Sequence, residues 1–128
     1  MNNFILLIFT NTLSASIFLF PVQAKNFAWG CRGPMSIGHG LRIVETQKPG
    51  SEIVRIMDSS HKVVIEFYAQ GPMTEEVLPG VGRDGEDEIV RKRTYVDGNG
   101  AQWIYKNRDA HPIFQSTENS ELNISCFP

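Results

Sequence analysis

Hydrophobic and polar residues alternate in several short stretches of this chain. Within residues 61–69, Val63, Ile65 and Phe67 fall on one face of an extended chain, and the residues between them fall on the other. This period of two predicts β-strands, and the Gly, Pro, Asp and Asn residues between the stretches predict turns. No stretch shows the apolar period of 3.6 residues that is typical of a helix. Strands are predicted over residues 27–32, 40–46, 52–57, 61–69, 89–96, 101–106, 112–116 and 121–126.

The predicted strands indicate an all-β domain. Many short strands at regular spacing are typical of a sandwich or a barrel. A closed barrel removes the exposed sheet edges that small β-domains avoid, so we predict a small antiparallel β-barrel of about eight strands. No repeat or low-complexity linker divides residues 25–128, and they are expected to form a single domain.

The first 24 residues differ in composition from the rest of the chain. They carry no charge and include a long apolar run that is followed by Val22-Gln23-Ala24. This pattern predicts a secretory signal peptide over residues 1–24 that is cleaved before Lys25. An uncleaved membrane anchor is the alternative, because a span of the bilayer needs about 20 apolar residues. In both cases residues 25–128 are expected outside the cytoplasm, either in the periplasm or secreted.

Two cysteines, Cys31 and Cys126, lie near the two ends of the predicted domain. In an oxidising compartment an even number of cysteines indicates a disulfide, and the spacing lacks the C-x-x-C pattern of a redox site. Closing so long a loop stabilises a fold by about 4–5 kcal/mol in the chain-entropy model. The disulfide also predicts that the first and last strands are neighbours, as in a closed barrel.

The net charge of the chain excludes few classes of function by itself, because it is formally only −2. So weak a balance does not indicate binding to nucleic acid or to a membrane surface. Residues 71–88 are rich in Gly, Pro and acidic residues, and they predict a long, mobile, solvated loop between two strands. This segment lacks the spaced oxygen ligands of an EF-hand, so a calcium site is not expected.

The residues that commonly carry catalysis show no organised pattern. His39, His61 and His111 are scattered singly, whereas a catalytic zinc site needs three protein ligands. No glycine pattern of a nucleophile elbow is present. A small secreted ribonuclease that uses His and Glu remains an alternative. The sequence therefore favours a protein that is not an enzyme and that holds no metal or other cofactor.

Basic and aromatic residues are concentrated in residues 91–110, RKRTYVDGNGAQWIYKNRDA. The dipeptides Asp97-Gly98 and Asn99-Gly100 predict a tight hairpin turn between two strands. The aromatic residues either fill the barrel while the basic side chains extend along its rim, or the two together present a surface to an acidic partner. For the second case the candidate partner-binding residues are Arg91, Lys92, Arg93, Tyr95, Lys106 and Arg108.

The same stretch carries a family resemblance. Tyr-Val-Asp-Gly at 95–98, Trp-Ile-Tyr-Lys-Asn-Arg-Asp-Ala at 103–110 and a cysteine near the end of the chain resemble the C-terminal half of the MliC/PliC-type inhibitors of c-type lysozyme. Those bacterial proteins are periplasmic or membrane-bound. The resemblance implies an eight-stranded antiparallel barrel. It also implies an aromatic-x-Cys element, here within residues 27–31, that is disulfide-bonded to the C-terminal cysteine.

The resemblance also implies which residues contact lysozyme. The family inserts a Ser-Gly-x-x-Tyr loop into the lysozyme cleft; at that place this chain has Arg91-Lys92-Arg93-Thr94-Tyr95, which keeps the Tyr but not the Ser and Gly. A second element, Lys-Gly-x-x-Ala, is matched at Lys106 and Ala110, with Asn107 in the place of Gly.

Taken together, these observations predict a secreted or periplasmic non-catalytic binding protein whose partner is a protein, with c-type lysozyme as the expected partner. Its basic residues would enter the acidic cleft of the enzyme, and Tyr95 would support the loop that carries them. The alternatives are a periplasmic immunity protein that uses acidic residues 71–88 against a basic toxin, a domain that binds an anionic envelope polymer, and a barrel of this fold with no inhibitory role.

Overall fold

The computed structural model describes residues 29–108 and 110–128, and within them the chain is all-β. The predicted signal peptide, residues 1–24, lies outside the described residues. The strands are β1 (Gly30–Arg32), β2 (Arg42–Ile43), β3 (Ile53–Met57), β4 (Val63–Ala69), β5 (Thr74–Leu78), β6 (Glu88–Asp97), β7 (Gln102–Arg108), β8 (His111–Ser116) and β9 (Asn123–Phe127). All eight predicted strands are present; residues 27–28 of the first lie outside the described residues, and the other ends differ from the prediction by a few residues.

The strands form a closed antiparallel barrel. In the order β4-β3-β2-β1-β9-β8-β7-β6 each strand pairs with the next, and β4 also pairs with β6, which closes the ring of eight strands. The ninth strand, β5, lies outside this ring and pairs with the first half of β6. The predicted fold, a small barrel of about eight strands, is therefore confirmed, with β5 as an addition.

The predicted disulfide joins the first and last strands of the barrel. Cys31 on β1 lies directly opposite Cys126 on β9 in the strand register, and the two are disulfide-bonded. Both cysteines are buried. The bond thus links β1 to β9 between chain positions that are 95 residues apart, and it lies against the core of the barrel.

Aromatic side chains fill the barrel. Phe67, Tyr95, Trp103, Tyr105 and Phe114 are all buried, and the rings of Phe67 and Phe114 stack with their centroids 4.5 Å apart. The other ring contacts are mostly edge-to-face or tilted, as aromatic clusters prefer. The aromatic residues of the hairpin at 91–110 therefore lie in the core, and they form no part of an exposed surface.

The prediction of a single mobile loop over residues 71–88 is wrong. Thr74–Leu78 forms β5, which pairs with Glu88–Lys92 over five residues. The pattern of buried and apolar residues did not indicate this strand because none of its side chains is buried. Backbone pairing and ion pairs across to β6, described below, hold it in place. The remaining residues, 79–87, connect the strands through a short 3-10 helix, Arg83–Gly85.

The barrel has two ends, which differ in what they carry. We call the end with the Asp97–Gly100 turn the turn end; the loops of residues 33–41, 58–62 and 117–122 lie there as well. We call the opposite end, where β5 and the first half of β6 lie, the β5 end. No helix in the described ranges, 29–108 and 110–128, is long and apolar enough to cross a membrane.

Candidate partner-binding surface

The predicted basic residues lie far from the tight turn that they flank in the sequence. In the register of the hairpin, Lys92 pairs with Lys106 and Val90 pairs with Arg108, so these side chains are at the β5 end. Lys92 and Asp97 are five residues apart on one strand, which corresponds to roughly 16 Å at about 3.3 Å per residue. The turn and the basic residues therefore belong to opposite ends of the barrel.

The strand register divides the six candidates between two faces of the sheet. Arg91, Arg93 and Tyr95 share the face that becomes the barrel interior, since they pair with Asn107, Tyr105 and Trp103. Lys92, Lys106 and Arg108 are on the outer face. No single surface presents all six residues, so a partner that contacts the outer face meets only the last three.

Arg93 and Tyr95 bind the protein's own loops. The guanidinium of Arg93 donates one hydrogen bond to the carbonyl oxygen of Gly71 (2.8 Å) and another to that of Gly50 (2.7 Å). The hydroxyl of Tyr95 donates to the carbonyl oxygen of Ser51 at 2.7 Å. The two side chains thus hold the loop before β3 and the connection from β4 to β5 against the barrel, which differs from the expected support by Tyr95 of the loop that carries the basic residues.

Burial governs the chemistry of the phenol groups in the core. It raises the pKa of Tyr95 far above its ordinary value, and it raises the pKa of Tyr105 against opposing effects from Asn107 and Arg91. Neither phenol is suited to act as a base near neutral pH. Both groups instead serve as rigid, protonated parts of the core.

Three of the exposed cations pair with acidic residues of the segment that was predicted to be a loop. Arg91 is 2.8 Å from Glu75, Lys92 is 3.5 Å from Glu76, and Arg108 is 3.1 Å from Glu88. The pairs of Arg91 and Lys92 are exposed and contribute at most about 1 kcal/mol each, so a carboxylate of a partner can replace them at small cost. The pair of Arg108 differs, because the side chain of Glu88 is only 13% exposed and would be left unpaired in a largely buried place. Basic and acidic side chains therefore lie side by side on this surface, which is not the uniformly basic patch that the sequence suggested.

Lys106 is the exception among the candidates on the outer face. It is exposed, and within residues 29–108 and 110–128 its ammonium group has no carboxylate within ion-pair distance. Ala110, which directly precedes β8, follows Lys106 closely in the chain and has a φ of +60°. Left-handed backbone costs a non-glycine residue about 1–2 kcal/mol, and such strain is often found at functional sites.

Two features of the structure have little signal in the sequence. One is β5, with its ion pairs to β6. The other is a groove at the turn end between β4 and the Asp97–Asn99 turn, where the two strands of the closing seam diverge. Alternation of residues predicts which side chains share a face, but it does not indicate where pairing between two distant strands begins and ends.

The described residues offer no evident metal site: within 29–108 and 110–128 no group of three or more His, Cys, Asp or Glu side chains is placed to hold an ion. Comparison with known proteins adds no assignment, since the chain matches no protein-family model, no curated protein and no solved structure.

Proposed function

We propose that this protein is an exported, non-catalytic binding protein that inhibits a c-type lysozyme, and that the β7–β8 hairpin at the β5 end enters the acidic cleft of the enzyme. The observation that carries the proposal is the position of Lys106: an exposed cation without an ion pair in the described residues, beside a turn with a left-handed Ala110. Both residues match the second element of the family resemblance, Lys-Gly-x-x-Ala.

The architecture of the barrel supports this proposal. Eight antiparallel strands, with a disulfide between the first and the last, are the arrangement that the resemblance implies. Disulfides persist in oxidising compartments, which agrees with the predicted signal peptide and with a periplasmic or secreted location.

The proposed mechanism is occlusion of the cleft by charge and shape. Lysozymes cleave their substrate between two carboxyl groups, so the cleft attracts a cation carried on a rigid protrusion. Lys106 would pair with a carboxylate there. Arg108 would stay paired with Glu88, whose side chain is only 13% exposed, and would add its positive charge beside Lys106. The ladders of β7 with β6 and β8 hold the hairpin in shape before binding, which reduces the entropy lost on association.

The test is inhibition of cell-wall lysis by a c-type lysozyme, with the purified protein titrated into the assay. We expect the unaltered protein to inhibit, and Lys106→Glu to raise the required concentration at least tenfold, because loss of a desolvated charge pair costs about 2–5 kcal/mol and each 1.4 kcal/mol is about tenfold in affinity. Lys62→Glu is the matched control, since it makes the same charge change on an exposed residue at the turn end.

Absence of inhibition by the unaltered protein would contradict the lysozyme proposal outright. Equal loss of inhibition in Lys106→Glu and in the Lys62→Glu control would contradict the assignment of the hairpin as the contact surface, because only the net charge would then matter.

A second candidate is an immunity-type protein that binds a basic partner. The observation in its favour is the loop of residues 79–87, where Asp84 and Glu86 are exposed and pair with no cation within the described ranges. The variant Asp84→Asn/Glu86→Gln discriminates between the two candidates. It would leave lysozyme inhibition unchanged under the first proposal and would remove binding of a basic toxin under the second.

A further inference from the structure

The seam that closes the barrel is only partly paired. β4 pairs with β6 over Phe67–Ala69 alone, against Asp97, Val96 and Tyr95. Val63, Ile65 and Glu66 pair with β3 on one side, with a β-bulge at Val64, and residues 63–66 have no strand on the other side. The amide of Gln70 donates to Thr94 across this seam at 2.8 Å. Because every second residue of a strand directs its backbone groups to the same side, the amide and carbonyl of Glu66 face the unpaired side.

A groove lies along this unpaired edge. One wall is the edge of β4, residues 63–66, and the other is formed by residues 97–99; the groove has a volume of about 400 Å³. Val63 is 40% exposed, whereas Val64 and Ile65 are partly buried and pack against the core. The β4 wall thus presents partly exposed aliphatic side chains, although most of the groove surface is polar, and it carries the backbone groups of an incomplete β-ladder.

The opposite wall is held in shape by one carboxylate. Asp97 accepts hydrogen bonds from the amides of Asn99 and Ala101, both at 2.9 Å, and from the indole N–H of Trp103 at 3.0 Å. Because Trp103 is anchored in the core, the turn cannot fold over onto β4 without breaking these bonds. The groove is therefore a built feature of the turn end, which reduces the cost of ordering on binding.

The charges of the groove have one sign. The charged residues that line it are Glu66 and Asp97, and no cation is among the lining residues. Glu66 is paired with Arg55 at 2.6 Å, and the hydrogen bonds from Arg55 and Tyr68 lower the pKa of Glu66. Asp97 accepts hydrogen bonds only from neutral donors. A ligand with positive charge close to Asp97 is accordingly favoured over an acidic one.

We propose that this groove binds an extended segment of a partner protein by β-strand addition to residues 63–66 of β4, and that the segment alternates aliphatic residues with Lys or Arg. The incomplete ladder favours an extended backbone, because the outward amide and carbonyl of Glu66 can exchange water for the backbone groups of an added strand. The aliphatic side chains of the segment pack on Val63 and its neighbours, and Asp97 pairs with the cation.

The other free edge in the described part of the chain does not have these properties. The outer edge of β5 carries Glu75 and Glu76, and charged residues on an edge are a common protection against further strand pairing. The edge of β4 at Val63-Val64-Ile65 carries no charged side chain; the bulge at Val64 and the turn beside it limit access.

The first experiment titrates the purified protein with a synthetic peptide, acetyl-Lys-Val-Thr-Val-Lys-amide, and follows backbone amide resonances and hydrogen exchange. We expect shifts confined to residues 63–66 and 97–99, and slower exchange of the Glu66 amide. The control peptide is the same sequence with every backbone amide N-methylated, which removes its donors and should produce no shifts. Equal binding of both peptides, no shifts at all, or shifts elsewhere on the barrel would overturn the proposal.

The second experiment compares two valine variants. Val63→Lys places a positive charge at the rim of the groove and should weaken binding of the peptide at least fivefold. Val77→Lys is the matched control, since Val77 is also exposed (53%, against 40% for Val63) but lies on β5, outside the groove. Equal affinity of the two variants would overturn the proposal.

A sedimentation measurement without peptide tests whether a second copy of the chain occupies the groove instead. Dimers that dissociate in Val63→Lys but persist in Val77→Lys would show that another copy occupies the edge, against the proposal. Lysozyme inhibition should be unaffected by Val63→Lys, because the groove and the β7–β8 hairpin lie at opposite ends of the barrel; the two proposals can therefore fail separately.

Discussion

Arg91 and Arg93 are two residues apart on one strand, yet their removal should have very different effects on stability. Arg93 is half-buried and donates to the carbonyl oxygens of Gly50 and Gly71. Arg91 is exposed and makes one ion pair, with Glu75, in which the two side chains are 47% and 54% exposed. We expect Arg93→Ala to unfold far more readily than Arg91→Ala.

The expected loss of unfolding free energy follows from how many contacts each arginine makes and how exposed those contacts are. A hydrogen bond from a charged donor contributes about 1.5–3 kcal/mol, and two such bonds set an upper range of about 3–6 kcal/mol for Arg93. Both carbonyl groups lie in loops that water can reach once the guanidinium is gone, so we expect a loss of about 2–4 kcal/mol. An exposed ion pair contributes about 0–1 kcal/mol, which bounds the effect of Arg91→Ala.

The assay is urea unfolding followed by tryptophan fluorescence, since buried Trp103 reports on the core. Arg93→Lys should recover part of the loss, because an ammonium group can reach one of the two carbonyls but lacks the planar fork that reaches both. If Arg93→Ala and Arg91→Ala differed by less than about 1 kcal/mol, the role of Arg93 as a clamp between loops would be refuted, and its guanidinium would be available to a partner.

Three further predictions test other parts of the fold. Reduction of the Cys31–Cys126 disulfide should lower the free energy of unfolding by about 4–5 kcal/mol. Denaturant melts with and without reductant measure this difference, and identical melts would contradict the prediction. Tyr68, Tyr95 and Tyr105 have a pKa above 10 in the folded state, so their contribution to stability is present below pH 10 and is lost as pH rises further. As the pH is raised, tyrosinate absorbance should therefore appear at a higher pH in the folded protein than in the urea-unfolded chain. Replacement of residues 74–87 by a Gly-Ser linker should leave the barrel folded, because β5 buries no side chain, but should speed amide exchange in the first half of β6.

The local pattern of residues was enough to predict where the barrel strands lie, although a β-bulge at Val64 breaks the predicted alternation in β4 and leaves Val63 exposed. Val54 and Ile56 on β3, and Trp103 and Tyr105 on β7, alternate with more exposed neighbours, and each of these four is buried as the alternation predicts. The period of two predicts faces because successive side chains of a strand point to opposite sides, whatever the strand pairs with. The disulfide was equally predictable, because two cysteines in an oxidising compartment have one intramolecular pairing.

Contacts between strands that are distant in the sequence were decided by the tertiary structure alone. β5 has no apolar face, and its position depends on β6, whose Arg91 and Lys92 pair with Glu75 and Glu76. The candidate site changed for the same reason. Residues that are neighbours in the sequence alternate between the two faces of a strand, so closing the barrel turned Arg93 and Tyr95 toward their own loops and left Lys106 outside. Alternation determines which face a side chain takes, but only the paired and closed sheet determines what that face meets.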